Sequence, residues 1–215
     1  MNSIFYRGSL LLMVVLLTAC ESVPKGKQST QIESWLTNAD FFNQAYQAHS
    51  QRTQWRYSSK VGVVTPQESN QANMVWLFDS DAVSANNVRL FGPLGIGAIR
   101  IEFDEQRVQL SDKNGVLHQG RSAEELLRRI VGWSIPVEAL EYWLFSLPQP
   151  NQKYVYQLDD QQQLAVLKQF GWEVYYSGYR EYYKGEGLLA RKIVAKKQVT
   201  PEQDVKVTLI TKSWK

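Results

Sequence analysis

The sequence predicts a mainly β protein with helices, of class α+β, in which about eleven strands form an antiparallel barrel or a strongly curved sheet. Two observations lead to this class. Apolar and polar residues alternate over many short segments, with the period of a half-buried strand. Turn residues separate the segments at hairpin spacing, most clearly at Asn114-Gly115. A barrel with this many strands can hold more than its own side chains, so a ligand cavity is expected.

The amino terminus has the order of a lipoprotein signal. Arg7 precedes the apolar run Leu10–Leu17, which is shorter than the roughly 20 residues of a membrane-spanning helix and typical of a signal peptide. Leu17-Thr18-Ala19-Cys20 then matches a bacterial lipobox, in which the cysteine thiolate takes a diacylglycerol. We predict a signal peptide over 1–19, lipidation at Cys20 and a flexible tether over 20–30. An ordinary signal peptide with a chance cysteine, or a buried core segment, is the alternative.

The rest of the chain divides into one amphipathic helix and two groups of strands around a helical interval. Apolar residues at helical spacing predict the first helix over 31–52. The segments with strand periodicity are Trp55–Thr65, Gln71–Asp79, Val88–Phe91, Gly97–Asp104, Arg107–Ser111, Val116–Gln119, Tyr154–Leu158, Gln163–Phe170, Trp172–Tyr179, Leu189–Ala195 and Val205–Ser213.

The helical interval contains two predicted helices. Ser122 and Glu125 have the spacing of a capping box, and Gly132 ends the helix that follows. Pro136 then occupies a first-turn position of a second helix that runs to about Phe145.

The composition argues against an enzyme. A single Cys cannot form an intramolecular disulfide, a multi-thiolate zinc site or an iron–sulfur cluster, and two His provide little material for a metal or nucleophile site. A net charge of +3 is too weak to imply a nucleic-acid partner. Within the printed sequence we find no nucleophile–base pair and no phosphate-binding motif, so we predict no catalytic residue, metal or cofactor.

Two apolar features are unusual. The Pro93-Leu94-Gly95 turn joins two strands and places a bulky side chain where backbone groups need water. Leu94 either folds back onto the core or forms an exposed finger that touches a membrane. The stretch Gly132–Pro148 is rich in aromatic and aliphatic residues, as in a core helix or the lid of a lipid-sized cavity.

The lipobox, the segment 88–103 with its Pro-Leu-Gly turn, and the stretch Gly132–Pro148 together resemble the LolB family of outer-membrane lipoprotein receptors. The Leu158–Leu164 turn, Gly171-Trp172 and the last strand also fit. The resemblance implies an unclosed antiparallel β-barrel with a helical lid and a hydrophobic cavity, formed by residues 31–215. In bacterial lipoproteins an Asp after the lipidated cysteine is a signal for retention in the inner membrane. Glu21 stands at that position here, so the resemblance to lipoproteins implies sorting to the outer membrane, with the domain on its periplasmic face.

The same resemblance implies a receptor that takes lipoproteins from the periplasmic carrier LolA, binds their acyl chains and inserts them into the inner leaflet of the outer membrane without nucleotide hydrolysis. A monomer is expected. The protruding leucine of the family maps onto Leu94, so Pro93, Leu94, Gly95 and Ile96 form the predicted membrane-insertion loop. Ile96 departs from the polar or small residue usual there. A lipid-anchored scaffold remains the alternative function, and a hydrolase with an unrecognised site is a third.

Side-chain parity along the strands and helices selects the residues that could line the cavity. They are Trp76, Phe78, Leu90, Ile99, Ile101, Phe103, Trp133, Ile135, Leu140, Trp143 and Leu144.

Overall fold

A computed structural model describes residues 35–92, 98–104, 106–183, 187–200 and 203–215. The predicted signal peptide, Cys20, the tether and the loop residues Pro93, Leu94, Gly95 and Ile96 lie outside these ranges. The strands are β1 Gln54–Val64, β2 Ser69–Asp79, β3 Asn86–Phe91, β4 Ile99–Phe103, β5 Val108–Ser111, β6 Leu117–Gly120, β7 Tyr154–Leu158, β8 Leu164–Gln169, β9 Trp172–Ser177, β10 Arg180–Glu181, β11 Leu188–Leu189, β12 Lys192–Thr200 and β13 Gln203–Trp214. The helices are α1 Asn43–Ser50, α2 Ala123–Val131 and α3 Val137–Leu144, with a 3₁₀ turn over Ala39–Phe42.

Eleven of the strands form one antiparallel sheet in the order β6-β5-β4-β3-β2-β1-β13-β12-β9-β8-β7. The C-terminal strand β13 lies between β1 and β12, so the two groups of strands join through the end of the chain. The terminal strands β6 and β7 do not pair with each other, so the sheet stays open. The predicted unclosed sheet of about eleven strands is confirmed.

Leu36 covers part of the free edge at β7. Its N–H donates to the carbonyl of Tyr156 over 2.8 Å, and its carbonyl accepts from the N–H of Tyr156 over 3.0 Å. The chain therefore enters the described domain at this edge of the sheet.

Alternation along each strand separates a buried face from a solvated one. On β1, Trp55, Tyr57 and Val61 are buried, whereas Arg56 and Lys60 between them are exposed. Side chains of a pleated strand point to opposite faces in turn. The core therefore lies on one face of the sheet, where α2 and α3 contribute Leu126, Leu140 and Trp143.

The caps of α2 are those predicted. The Ser122 hydroxyl accepts from the N–H of Glu125 over 3.1 Å, and the Glu125 carboxylate accepts from the N–H of Arg121 over 3.3 Å. Gly132 ends the helix with φ +80°, in the left-handed region that glycine favours. Pro136 is the N-cap of α3, one position before the first turn in which it was predicted.

The first helix is shorter than predicted. Only Asn43–Ser50 is α-helical, because Asn38 caps a 3₁₀ turn by accepting from the N–H of Asp40 over 2.9 Å. None of the helices in the described part of the chain has the length and apolar character needed to span a bilayer.

Glu141 of α3 and His49 of α1 lie side by side, with 3.8 Å between the Glu141 carboxylate and the His49 Nε2 atom. Burial, and secondarily the charge of Glu138, raises the pKa of Glu141 from 4.5 to about 7. Burial, and secondarily the charge of Arg52, lowers the pKa of His49 from 6.5 to about 4. Both side chains are therefore largely neutral between these two pKa values.

The Glu141 pKa predicts a pH-dependent effect on stability. Because the folded-state pKa is raised, its contribution to stability is complete below pH 4.5 and is lost as the pH rises through 7. We expect Glu141→Gln to raise the free energy of unfolding by about 2 kcal/mol at pH 8 and to leave it unchanged at pH 4. Urea unfolding at the two pH values measures this difference. An equal effect at both would contradict the burial explanation.

Candidate functional site

A small apolar cavity lies between the sheet and the two helices α2 and α3. Its volume is about 30 Å³, which is room for about two water molecules. Its lining consists of Val61, Met74, Trp76, Val88, Leu90, Ile101, Leu127, Trp133, Ile135, Val137, Leu140, Val207 and Leu209. All are apolar, and the indole N–H of Trp76 is satisfied by the side-chain oxygen of Asn86 over 2.8 Å. A cavity of this kind stays dry, because water would find no polar partner.

A larger cleft of about 650 Å³ adjoins this cavity and shares Val61, Leu90 and Trp133 with it. The last residues of β3 and the first of β4 line the cleft, through Phe91 and Ile99. Its rim carries the charged residues Glu68, Asp112, Lys113 and Arg129. The cleft therefore opens at the end of the sheet where the chain enters and leaves residues 93–97.

Several predicted lining residues meet at this site. Trp76, Leu90, Ile101, Trp133, Ile135 and Leu140 line the cavity, and Ile99 lines the cleft. The other four lie elsewhere. Phe78 stacks on Trp55 with 5.6 Å between ring centroids, and Phe103 meets Trp76 edge-on at 5.9 Å. The Trp143 indole donates to Gln169, and Leu144 is buried in the core outside the cavity lining.

Sequence reasoning missed lining residues on β1 and β13. Val61, Val207 and Leu209 reach the cavity because β13 pairs with β1, which places Leu209 opposite Val61. The alternation of Val205, Val207 and Leu209 marks a buried face, but it does not reveal which strand lies beside it. Met74, Val88, Leu127 and Val137 complete the wall and were detectable only as core residues.

Other polar groups have structural roles. His118 lies within 3.2 Å of the Asp112 carboxylate inside the β5–β6 hairpin, and this hydrogen bond holds the pKa of Asp112 below its usual value. The His118 side chain is 25% exposed. Across the described ranges, no group of three or more His, Cys, Asp or Glu side chains could hold a metal ion.

A cleft of about 880 Å³ occupies the opposite end of the sheet. Its walls mix apolar residues with Asp79, Glu102 and Arg107, and Arg107 there donates to the carbonyl of Val83 over 2.7 Å. This mixed lining lacks the continuous apolar wall of the cavity at the other end.

Among solved structures, a LolA superfamily protein from Nitrosomonas europaea is similar in fold. Its TM-score is 0.52 at 10% identity, over 84% of this chain and 93% of that one. A DUF1329 family protein from Desulfovibrio piger ATCC 29098 has the same TM-score, 0.52, at 5% identity, over 82% and 91% of the two chains. At these identities the likeness concerns the fold alone.

Sequence comparisons are more specific. The outer-membrane lipoprotein LolB of Cellvibrio japonicus is 34% identical over 78% of this chain and 82% of its own length. LolB of Pseudomonas putida is 34% identical over 80% of each chain, and that of Francisella tularensis subsp. novicida is 29% identical over 97% and 94%. The family described as outer membrane lipoprotein LolB matches residues 53–214, which contain every strand and both helices of the cavity wall. The open sheet and this match agree: the chain belongs to the LolB family of outer-membrane lipoproteins.

Proposed function

We propose that this protein is a lipid-anchored receptor that accepts lipoproteins from the carrier LolA, holds their acyl chains in the apolar cavity and inserts them into the outer membrane. In this proposal residues 1–19 are removed, Cys20 carries the lipid, 20–30 form the tether and 31–215 form the binding domain of a monomer. The observation that carries the proposal is the dry cavity, which shares three wall residues with an open cleft.

The energetics of acyl chains favour a passive mechanism. Exposure of one methylene group to water costs about 0.8 kcal/mol, so the chains of one lipoprotein represent tens of kcal/mol. A protein that takes such chains across water must offer them a continuous apolar surface. Transfer between two such surfaces then needs only a rising order of affinities from carrier to receptor to membrane.

The cavity must widen to hold a chain. Its 30 Å³ accommodate only water-sized molecules, whereas the cleft of 650 Å³ has the size of ordinary ligand sites. Trp133 and Ile135 lie in the irregular connection 132–136 between α2 and α3. We infer that loading separates this connection from β2 and β3, which joins the cavity and the cleft into one channel.

Trp133 provides the test, because it lines both spaces and is only half-buried. We expect Trp133→Glu to reduce acceptance of acylated protein at least about ten-fold, because a carboxylate against acyl chains loses its hydration without gaining a partner. The measurement is transfer of a radiolabelled lipoprotein from purified LolA to the Cys20→Ala form.

The matched control is Leu117→Glu. Leu117 is 56% exposed on the edge strand β6 and lies outside both spaces. This variant should accept lipoprotein normally, and thermal unfolding should show both variants folded. Normal acceptance by Trp133→Glu would contradict the proposed channel. A lipid-anchored scaffold, the alternative function, would leave the acylated protein on LolA in every case.

A further inference from the structure

Two arginines face each other on the solvated side of the sheet. Arg89 of β3 and Arg100 of β4 are direct partners in the antiparallel register, and both side chains are exposed. Like charges directly opposite each other destabilise a sheet. Arg100 has a loose contact of 4.0 Å with Glu102, which also accepts from the Asn87 amide over 2.8 Å. Within the described residues, Arg89 has no ion-pair or hydrogen-bond partner.

Two lysines extend the positive charge across the neighbouring strands. Lys60 of β1 is the register partner of Asn73 on β2, and Asn73 is the partner of Phe91 on β3. The Lys212 ammonium donates to the side-chain oxygen of the same Asn73 over 2.7 Å. All four basic side chains are exposed on this face. We call Lys60, Arg89, Arg100 and Lys212 the basic patch.

The basic patch lies beside the strand ends that flank residues 93–97. Arg89 precedes the last residue of β3 by two positions, about 7 Å along a strand. Arg100 follows the first residue of β4 by one position. The polar interface of a bilayer adds about 5–7 Å to each side of its hydrocarbon core. If residues 93–97 enter that core, as the proposed function requires, the long arginine side chains reach the headgroup layer.

We propose that the basic patch binds anionic phospholipid headgroups and thereby sets the orientation of the domain on the membrane. The charges are complementary, and the half-buried aromatic residue Phe91 lies next to the patch as the register partner of Asn73, as is common at membrane interfaces. The repulsion between Arg89 and Arg100 is relieved when an anion lies between them. The bound orientation points the open end of the cleft toward the bilayer. This inference rests on the proposed insertion of residues 93–97.

The test is binding of the mature chain with Cys20→Ala to lipid vesicles. We expect binding to vesicles of phosphatidylcholine with phosphatidylglycerol, and weaker binding to phosphatidylcholine alone. The double variant Arg89→Gln/Arg100→Gln should bind the anionic vesicles about twenty-five-fold more weakly, because each basic residue near an anionic surface contributes about five-fold. Added salt should weaken vesicle binding of the parent protein far more than vesicle binding of this variant.

The matched control removes the same charge elsewhere. Arg56 and Lys215 are exposed and line the cleft at the opposite end of the sheet, and Arg56 precedes Lys60 by four positions, about 13 Å along β1 and away from residues 93–97. Arg56→Gln/Lys215→Gln should change vesicle binding less than about two-fold, because these charges lie beyond a Debye length of the surface. Equal weakening by both double variants, or unchanged binding by Arg89→Gln/Arg100→Gln, would overturn the proposal.

Two further measurements separate this inference from the proposed function. Thermal unfolding of Arg89→Gln/Arg100→Gln should occur at or above the temperature of the parent protein, since a repulsion is removed. Its acceptance of lipoprotein from LolA should be unchanged. Loss of acceptance with intact vesicle binding would assign this face to a protein partner instead. Vesicle binding needs no lipoprotein cargo. Headgroup binding by the basic patch and acceptance of lipoproteins from LolA can therefore fail independently.

Discussion

Leu94→Glu is expected to block delivery of lipoproteins to membranes while folding and acceptance from LolA stay intact. Leu94 lies outside the described residues, but the strands on either side of its loop end at the mouth of the cleft. Replacing leucine by a carboxylate in the bilayer costs about 3 kcal/mol, which corresponds to a reduction of roughly one hundred-fold. The measurement is incorporation of labelled lipoprotein into vesicles by the Cys20→Ala form, in which the anchor cannot compensate.

Val83→Glu is the matched control for this substitution. Val83 lies in the connection between β2 and β3, near the opposite end of the sheet, and its side chain is 84% exposed. The same apolar-to-acidic change there should leave delivery at the level of the parent protein. Normal delivery by Leu94→Glu would refute the insertion role, and a parallel loss of acceptance would indicate that the loop helps to form the binding site.

Gln169→Leu is expected to lower the free energy of unfolding by about 4 kcal/mol. Gln169 on β8 is buried, and its side-chain oxygen accepts from the Trp143 indole N–H over 3.0 Å and from the Gln149 N–H over 2.9 Å. Its amide donates to the Gln149 carbonyl over 2.9 Å. The substitution leaves the buried Trp143 indole N–H and the part-buried N–H and carbonyl of Gln149 without partners, at about 1–3 kcal/mol each.

Urea unfolding of Gln169→Leu and of Gln71→Leu tests this network. Gln71 is exposed on β2, so its replacement should change stability by less than about 0.5 kcal/mol. A similar small effect for Gln169→Leu would show that water replaces the lost hydrogen bonds. Because Gln169 fixes the end of α3 to β8, its loss should also loosen the helix that forms one wall of the cavity.

Local features of this fold were predictable from sequence because each has a local physical cause. The α2 boundaries follow from the Ser122–Glu125 box and from Gly132, whose conformation few other residues tolerate. The β5–β6 hairpin follows from Gly115, which has φ +80°.

Boundaries set by distant partners were less accessible. The sequence predicts one strand over Leu189–Ala195, but Leu188 and Leu189 pair with Glu181 and Arg180 in a separate ribbon. The long strand instead runs from Lys192 to Thr200. Alternation continues through both segments, so only the identity of the partner strand separates them. The cavity lining has the same limitation. Alternation along β2 shows that Phe78 lies on the core face of the sheet, but it does not show whether Phe78 is level with the cavity.

The chain was predicted not to be an enzyme, and its membership of a family of lipoprotein-sorting receptors confirms this. In the proposed function, the central step is the widening of the cavity to admit an acyl chain, and no covalent bond is made or broken.

The pairing of Leu36 with β7 has a mechanical consequence. With Cys20 as the proposed anchor, the fifteen residues 20–34 form a line that extends at most about 50 Å. Between β7 and β3 lie seven strand spacings, or roughly 34 Å along the sheet. The proposed tether therefore limits the distance between the domain and the membrane without fixing the orientation of the domain. In this proposal the orientation of the domain on the bilayer is set by the basic patch and by residues 93–97.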